Sequence, residues 1–190
     1  MNNDDMKIKF KNKINRFLQK SLISIYDKKL PPSKPTEIEL IKQLKARILE
    51  LRKDPNPPPS TTGLPEWKHF VHSLCNSILN DDPRRFLRWK VIKKTMFVSN
   101  ANCVEVELQS LLKSYEWEQK WKTALHENHI GHPLPYYAYP KSSGNLIHQA
   151  YSLSEYTRHT AVNIENMNLI VEFGGGYGSM CHLIHKLGKV

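Results

Sequence analysis

The sequence predicts a mainly α-helical chain that ends in one β–α unit of the doubly wound α/β kind. Three observations predict it. Apolar residues recur at intervals of three and four over most of the chain. Proline-rich breaks separate the helical segments so marked. Residues 168–188 read as an apolar strand, a glycine turn and a helix.

Composition sets outer limits. At 190 residues the chain holds one domain, or one domain with an arm. The net charge of +10 is uneven. Residues 1–53 carry fourteen Lys/Arg against six Asp/Glu, a net +8, whereas residues 54–190 carry a net +2. The basicity belongs to an arm, so no nucleic-acid partner is expected for the body. A mean hydropathy of −0.54, with no long apolar run, argues against a membrane-spanning helix. The N-terminus has lysines but no apolar h-region, so no signal peptide is readable. Cys75, Cys103 and Cys181 are odd in number and lack metal-type spacing. They read as reduced packing thiols of a cytoplasmic protein.

Met6 to about Tyr26 is expected to be a basic amphipathic helix. Phe10, Ile14, Phe17, Leu18 and Ile25 share a face, and Lys7, Lys9, Lys11, Lys13, Arg16 and Lys20 supply charge. Such a helix lies either on an anionic membrane surface, through residues 7–26, or packed on one side and solvated on the other. The packed arrangement is the commoner and is the expectation here. Pro31 to Pro35 breaks the chain. Thr36 then opens a second helix through a capping box with Glu39. Ile38, Ile41, Leu44, Ile48 and Leu51 form its stripe, and the two helices suit an antiparallel hairpin or a dimer contact.

Asp54 to Gly63 is a stiff proline-rich linker. Trp67, Phe70, Val71, Leu74, Cys75 and Ile78 mark a third helix. Asp82 before Pro83 is an N-cap with a first-turn proline, starting a fourth. In that fourth helix Phe86, Leu87, Trp89, Val91 and Ile92 interleave with Arg84, Arg85, Arg88, Lys90, Lys93 and Lys94. Interleaving of this kind occurs in RNA binders, but a surface helix with a buried aromatic side is the expectation. Asn102 to about Leu125 is expected to continue helical.

His126, His129 and His132 follow at intervals of three, yet Gly131 and Pro133 throw the last off any shared face, and no metal is expected. Pro133 to Pro140 is an extended loop holding Tyr136, Tyr137 and Tyr139. Tyrosines there suit either stacking on a sugar ring or packing across the domain. Ser142, Ser143, Gly144 and Asn145 form a polar turn into a helix through His148, Tyr151 and Tyr156.

The C-terminal motif is the most specific. Leu169, Ile170 and Val171 form the apolar run of a buried parallel strand, ending at Glu172. Glycines stand at Gly174, Gly175, Gly176 and Gly178. A strand that turns at once into a helix needs backbone angles closed to most residues. The helix N-terminus then offers free N–H groups to an anionic part of a ligand. Met180, Leu183, Ile184 and Leu187 recur at helical spacing, and Gly188 fits a C-terminal cap. The dinucleotide fingerprint fails because its last position falls on Ser179, and the phosphate loop fails for want of a lysine.

What fits is an acidic residue, one apolar residue, then G-x-G-x-G: Glu172, Phe173, Gly174, Gly176 and Gly178. This resembles motif I of the class I S-adenosylmethionine-dependent methyltransferases. Asp82 to Val98, Tyr139 to His148, and Phe173 to Cys181 are further similar to segments of bacterial sugar O-methyltransferases. The resemblance covers about Trp67 to Val190. It implies a Rossmann-like domain binding S-adenosylmethionine through Glu172, Phe173, Gly174, Gly175, Gly176, Tyr177 and Gly178. It further implies that Glu172 places the cofactor's amino end, and that the acceptor is a sugar or glycan hydroxyl. The helix before the first strand often borders the cofactor pocket in such enzymes, which makes Ser143, Gly144, Asn145 and His148 secondary site residues. Histidine's ordinary pKa lies near working pH, which makes His148 a candidate general base for a sugar hydroxyl.

The sequence divides on this reading into a basic arm of two helices (1–53), a linker (54–65), a helical region (66–160) and the start of the cofactor domain (161–190). A doubly wound sheet needs several more strands. The chain is therefore expected to be the N-terminal part of a longer methyltransferase, or the product of a split gene or shortened frame, inactive alone. The rival reading is a non-catalytic basic helical module for a membrane surface or protein partner.

Overall fold

The computed structural model describes residues 3–27, 30–53, 65–95, 102–173 and 175–188. In chain order the helices are α1 (Asn3–Asp27), α2 (Pro35–Lys53), α3 (Pro65–Asn80), α4 (Lys90–Thr95), α5 (Asn102–Leu112), α6 (Lys122–Ala124), α7 (Gly144–Thr160) and α8 (Ser179–Lys186). Two short strands, β1 (Pro135–Tyr136) and β2 (Tyr139–Ser143), pair antiparallel as the one sheet among the described residues. The chain is mainly helical, as expected. The linker proposed from Asp54 to Gly63 lies outside the described residues.

Two compact units interleave along the chain. One gathers Met1–Lys28, Met96–Asn128 and Leu134–Val190; the other gathers Lys29–Thr95 and His129–Pro133.

The second unit is built on caps and a helix pair. α2 begins one residue before the expected Thr36, because Pro35 has φ preset for a first helical position and needs no N–H partner there. Glu37, not Glu39, reaches back to the Lys34 N–H at 2.7 Å. Glu39 instead accepts from Gln43. Within this unit α2 packs against α3. Lys45 donates to the Leu79 carbonyl, and Arg52 reaches Asn76.

Asp82 caps as predicted, accepting from the Arg84 N–H at 3.0 Å. The adjacent guanidinium of Arg84 holds the Asp82 carboxyl below its usual range. The turn that follows is 3₁₀ over Pro83–Arg88 and kinks before α4. This kink buries Leu87, Trp89, Val91 and Ile92. Arg88 donates to the carbonyls of His132 and Pro133. Trp89 is packed rather than presented.

In the first unit Val104, Leu108 and Leu111 of α5 meet Leu146, Ile147 and Ala150 of α7, with Trp121, Leu125, Tyr136 and Leu183 closing the core. The single helix expected from Asn102 to Leu125 is broken. The Ser114 hydroxyl accepts from the Glu116 N–H, a local bond that competes with helix continuation. A π-helical turn over Trp117–Trp121 then re-registers the chain. The shift puts Trp121 and Leu125 in the core; Val106 and Tyr115 are exposed. Residues 126–129 are not helical, so the histidines do not share a helix face. Among the described residues no three metal-ligating side chains cluster.

The strand expected at 168–172 does not form. Leu169 and Val171 are 80% and 81% exposed, and Phe173 is fully exposed. A strand is stable only when neighbouring strands take up its backbone groups, and no described strand lies alongside this one. α1 departs from expectation in another way: its apolar face is exposed rather than packed.

Candidate functional site

The glycine turn is formed, and its helix with it. Gly176 and Gly178 have φ of 57° and 78°, the left-handed region that side chains strain to enter. The Gly178 N–H donates to the Gly175 carbonyl at 2.7 Å and closes the turn. α8 follows directly, with Gly178 as a cap that has no side chain to satisfy the first-turn amides. A β-carbon at Gly178 would meet nothing within 4 Å. The space beside Gly178 is open, and the backbone there is approachable. Leu183 is fully buried, Ile184 nearly so, and Gly188 ends the helix at φ 89°, as the spacing predicted.

Glu172 folds onto the turn. A β-carbon at Gly175 would stand 2.9 Å from a Glu172 carboxylate oxygen. The same carboxylate accepts from the Cys181 thiol at 2.7 Å, and that bond raises the thiol's pKa. Phe173 points away into solvent, and Gly174 lies outside the described residues. Tyr177 is half-buried, and burial raises its hydroxyl pKa.

The turn is tied to a segment thirty residues earlier. Asn145 Nδ2 donates to Tyr177 Oη at 2.5 Å and to Ser179 Oγ at 3.2 Å. Ser179 Oγ donates to Gln149 Oε1 at 2.5 Å. Asn145 is buried at the start of α7, whose first turn is capped by the Ser143 hydroxyl accepting from the Leu146 N–H. Glu127 fixes that cap in turn, accepting from the Ser143 N–H at 3.1 Å. Of the secondary site residues, Ser143, Gly144 and Asn145 therefore sit at the α7 end that meets the glycine turn.

His148 is half-exposed and faces α5 instead. Its Nδ1 lies 2.8 Å from Glu107 Oε1. Glu107 is only 7% exposed, and its other carboxylate oxygen is buried without a hydrogen-bond partner. A carboxylate can only accept, so Nδ1 carries the proton and Nε2 is left as an acceptor. The Cys103 thiol lies beside the same carboxylate; burial first, and the Glu107 charge next, push its pKa up. This pairing could not be found in the sequence, because Glu107 and His148 are separated by 41 positions on two helices. Its one signal was a glutamate one turn from Cys103 on the same helix.

His182 of α8 has a buried Nε2 without a hydrogen-bond partner, and burial lowers its pKa. The tyrosine-rich segment is the β1–β2 hairpin. Tyr136 is buried in the core with its pKa raised by burial, which is the packing role. A cleft of about 630 Å³ opens at the far end of α8, beside Lys120, Glu165 and Gly188. Lys120 pairs there with Glu116 and Glu165, and Lys186 donates to the carbonyls of Ala124 and His126. These cations are already engaged, so the chemistry points to the glycine turn rather than to the cleft.

Comparison with known proteins returns no matching family model, no matching curated protein and no matching solved structure.

Proposed function

We propose that this chain is the N-terminal portion of an S-adenosylmethionine-dependent methyltransferase with a Rossmann-like domain, acting on a hydroxyl of a sugar or glycan. One observation carries the reading. An acidic residue lies over a turn with two left-handed glycines, and the turn runs into a helix with no side-chain cap. The fit to the cofactor rests on the open space above Gly178 and on the Glu172 carboxylate at the turn.

When bound, the cofactor supplies an electrophilic methyl group on a sulfonium. Glu172 would hold the cationic amino end by charge, and Gly176 and Gly178 would let the main chain approach without β-carbons. The first-turn amides of α8 would face the cofactor's carboxylate. Asn145, Gln149 and Ser179 hold the turn in place from behind. His148 is offered as the base: Glu107 engages its Nδ1 and leaves Nε2 to accept the hydroxyl proton. The exposed run Leu169, Val171 and Phe173 would become a strand when further strands of the sheet pair with it.

Calorimetric titration of the complete protein with S-adenosylhomocysteine tests the cofactor assignment. Specific binding is expected, and Gly176→Val should abolish it, since valine strains at positive φ. Binding unchanged by the substitution would remove this turn as the site. For the base, His148→Gln should lower turnover by about a hundredfold with S-adenosylhomocysteine affinity unchanged; equal turnover would dismiss His148.

A further inference from the structure

α1 is fastened to its own unit by polar side chains. Gln19 donates from Nε2 to the Pro135 carbonyl at 3.0 Å and accepts from the Tyr137 N–H at 3.2 Å. Lys11 Nζ stands 2.8 Å from the Glu105 carboxylate. Asn15 and Leu22, on the Gln19 side, are half-buried. The apolar residues lie elsewhere on the helix. Met6, Phe10, Ile14, Phe17, Leu18 and Ile25 fall within an arc of about 120°, and Gln19 lies about 100° beyond its nearer edge. All six are exposed, Phe10 and Phe17 at 67% and 68%.

The arrangement inverts the usual one, in which the apolar stripe faces the core. An apolar arc left in water, interrupted by Ser21 and Ser24 in its later turns, marks an interaction surface. Its chemistry is set by what flanks it. Lys9, Lys13 and Lys20 line the adjoining flank and are exposed, and Lys7 interrupts the arc near its first turn. Long cationic side chains beside an apolar face can reach outward while their methylene stems stay against it. Phosphates of a nucleic acid would match the lysines but leave the two phenylalanines and Ile14 unused. A plain apolar groove would use the phenylalanines but not the lysines. An anionic lipid surface uses both: acyl chains take the apolar arc, and headgroups take the cations. No described helix is long and apolar enough to cross a membrane, so the contact lies in the interface plane.

We propose that α1 is a membrane-surface helix that docks the chain on anionic lipid through Met6, Phe10, Ile14, Phe17, Leu18 and Ile25. The inference stands apart from the methyltransferase reading, since none of these residues belongs to the glycine turn.

Co-sedimentation of the full chain with vesicles is the test. One set is phosphatidylcholine alone; the other adds about one third phosphatidylserine. Binding is expected to the anionic set and not to the neutral one, and to weaken as salt rises. Phe10→Asp with Phe17→Asp should lower vesicle affinity at least about tenfold, with the circular dichroism in buffer unchanged. Lys13→Glu with Lys20→Glu should also lower it, whereas Phe10→Leu with Phe17→Leu should retain it within about threefold. No binding to anionic vesicles overturns the proposal, as does equal binding by the aspartate variant. A dimer in sedimentation equilibrium that the aspartates dissociate, without vesicle binding, assigns the face to a second copy and overturns it as well.

Discussion

Residues 168–173 and Ser179–Lys186 are neighbours in the chain and end in opposite states. The helix is folded onto a core and buries Leu183 completely. The apolar run before it forms no strand and is exposed at Leu169, Val171 and Phe173. Both segments are apolar enough to be core. The difference is where their hydrogen bonds go. A helix satisfies its own backbone, so it needs only one apolar surface to lie on, and α7 supplies that. A strand satisfies none of its backbone alone and waits for neighbours. Half of a β–α unit can therefore fold while the other half does not.

Four substitutions or conditions sharpen that contrast. The largest effect belongs to the folded half. Leu183→Ala should destabilise the chain by about 3 kcal/mol in denaturant unfolding, from lost burial and the cavity left behind. Its counterpart Leu169→Ala should change stability by less than about 0.5 kcal/mol. Comparable losses at both positions would mean that the 168–173 segment is packed in solution, and the comparison would fail. Next, Tyr177→Phe removes the Tyr177 end of the Asn145 bond and should cost about 1 kcal/mol, read from the same unfolding curves. An unchanged midpoint would show that the turn is held without it.

The smallest effect is one of pH. Burial first, then the nearby Lys186 charge, lowers the His182 pKa in the folded chain. The folded state therefore binds this proton less readily than the unfolded one. No penalty arises above the ordinary histidine value. Below it, stability falls with pH until the folded pKa has been passed. Thermal melts of the parent and His182→Gln should diverge on the acid side of about pH 6.5, with the parent losing more. Parallel melts across that range would show that His182 titrates normally.

Local chemistry was legible from the start wherever a short stretch satisfies itself. Asp82 before Pro83 caps a helical turn, and Gly176, Gly178 and Gly188 take the positive φ that their spacing implied. The stripe Leu183–Ile184 points to a core as periodicity said it would. Misreadings arose where local bonds compete. Pro35 started α2 early, and Ser114 broke the helix after α5. Both alternatives use the same residues, and only the packing around them selects one.

Periodicity also established that residues 6–25 have an apolar face. It could not say which way that face turns, because Gln19 and Lys11 find their partners at Pro135, Tyr137 and Glu105. The site divides in the same manner. The glycine turn is written in contiguous residues, since backbone angles are a local matter. The Asn145–Tyr177–Ser179–Gln149 ties and the Glu107–His148 pair join positions far apart in the chain. By itself the sequence determined most of the helices, the Asp82 cap and the glycine turn, through bonds that close within a few residues. The tertiary structure alone decided which apolar faces are covered, whether the run at 168–173 is a strand, and which histidine receives a buried carboxylate. Each of those depends on a partner that chain folding must bring from a distance.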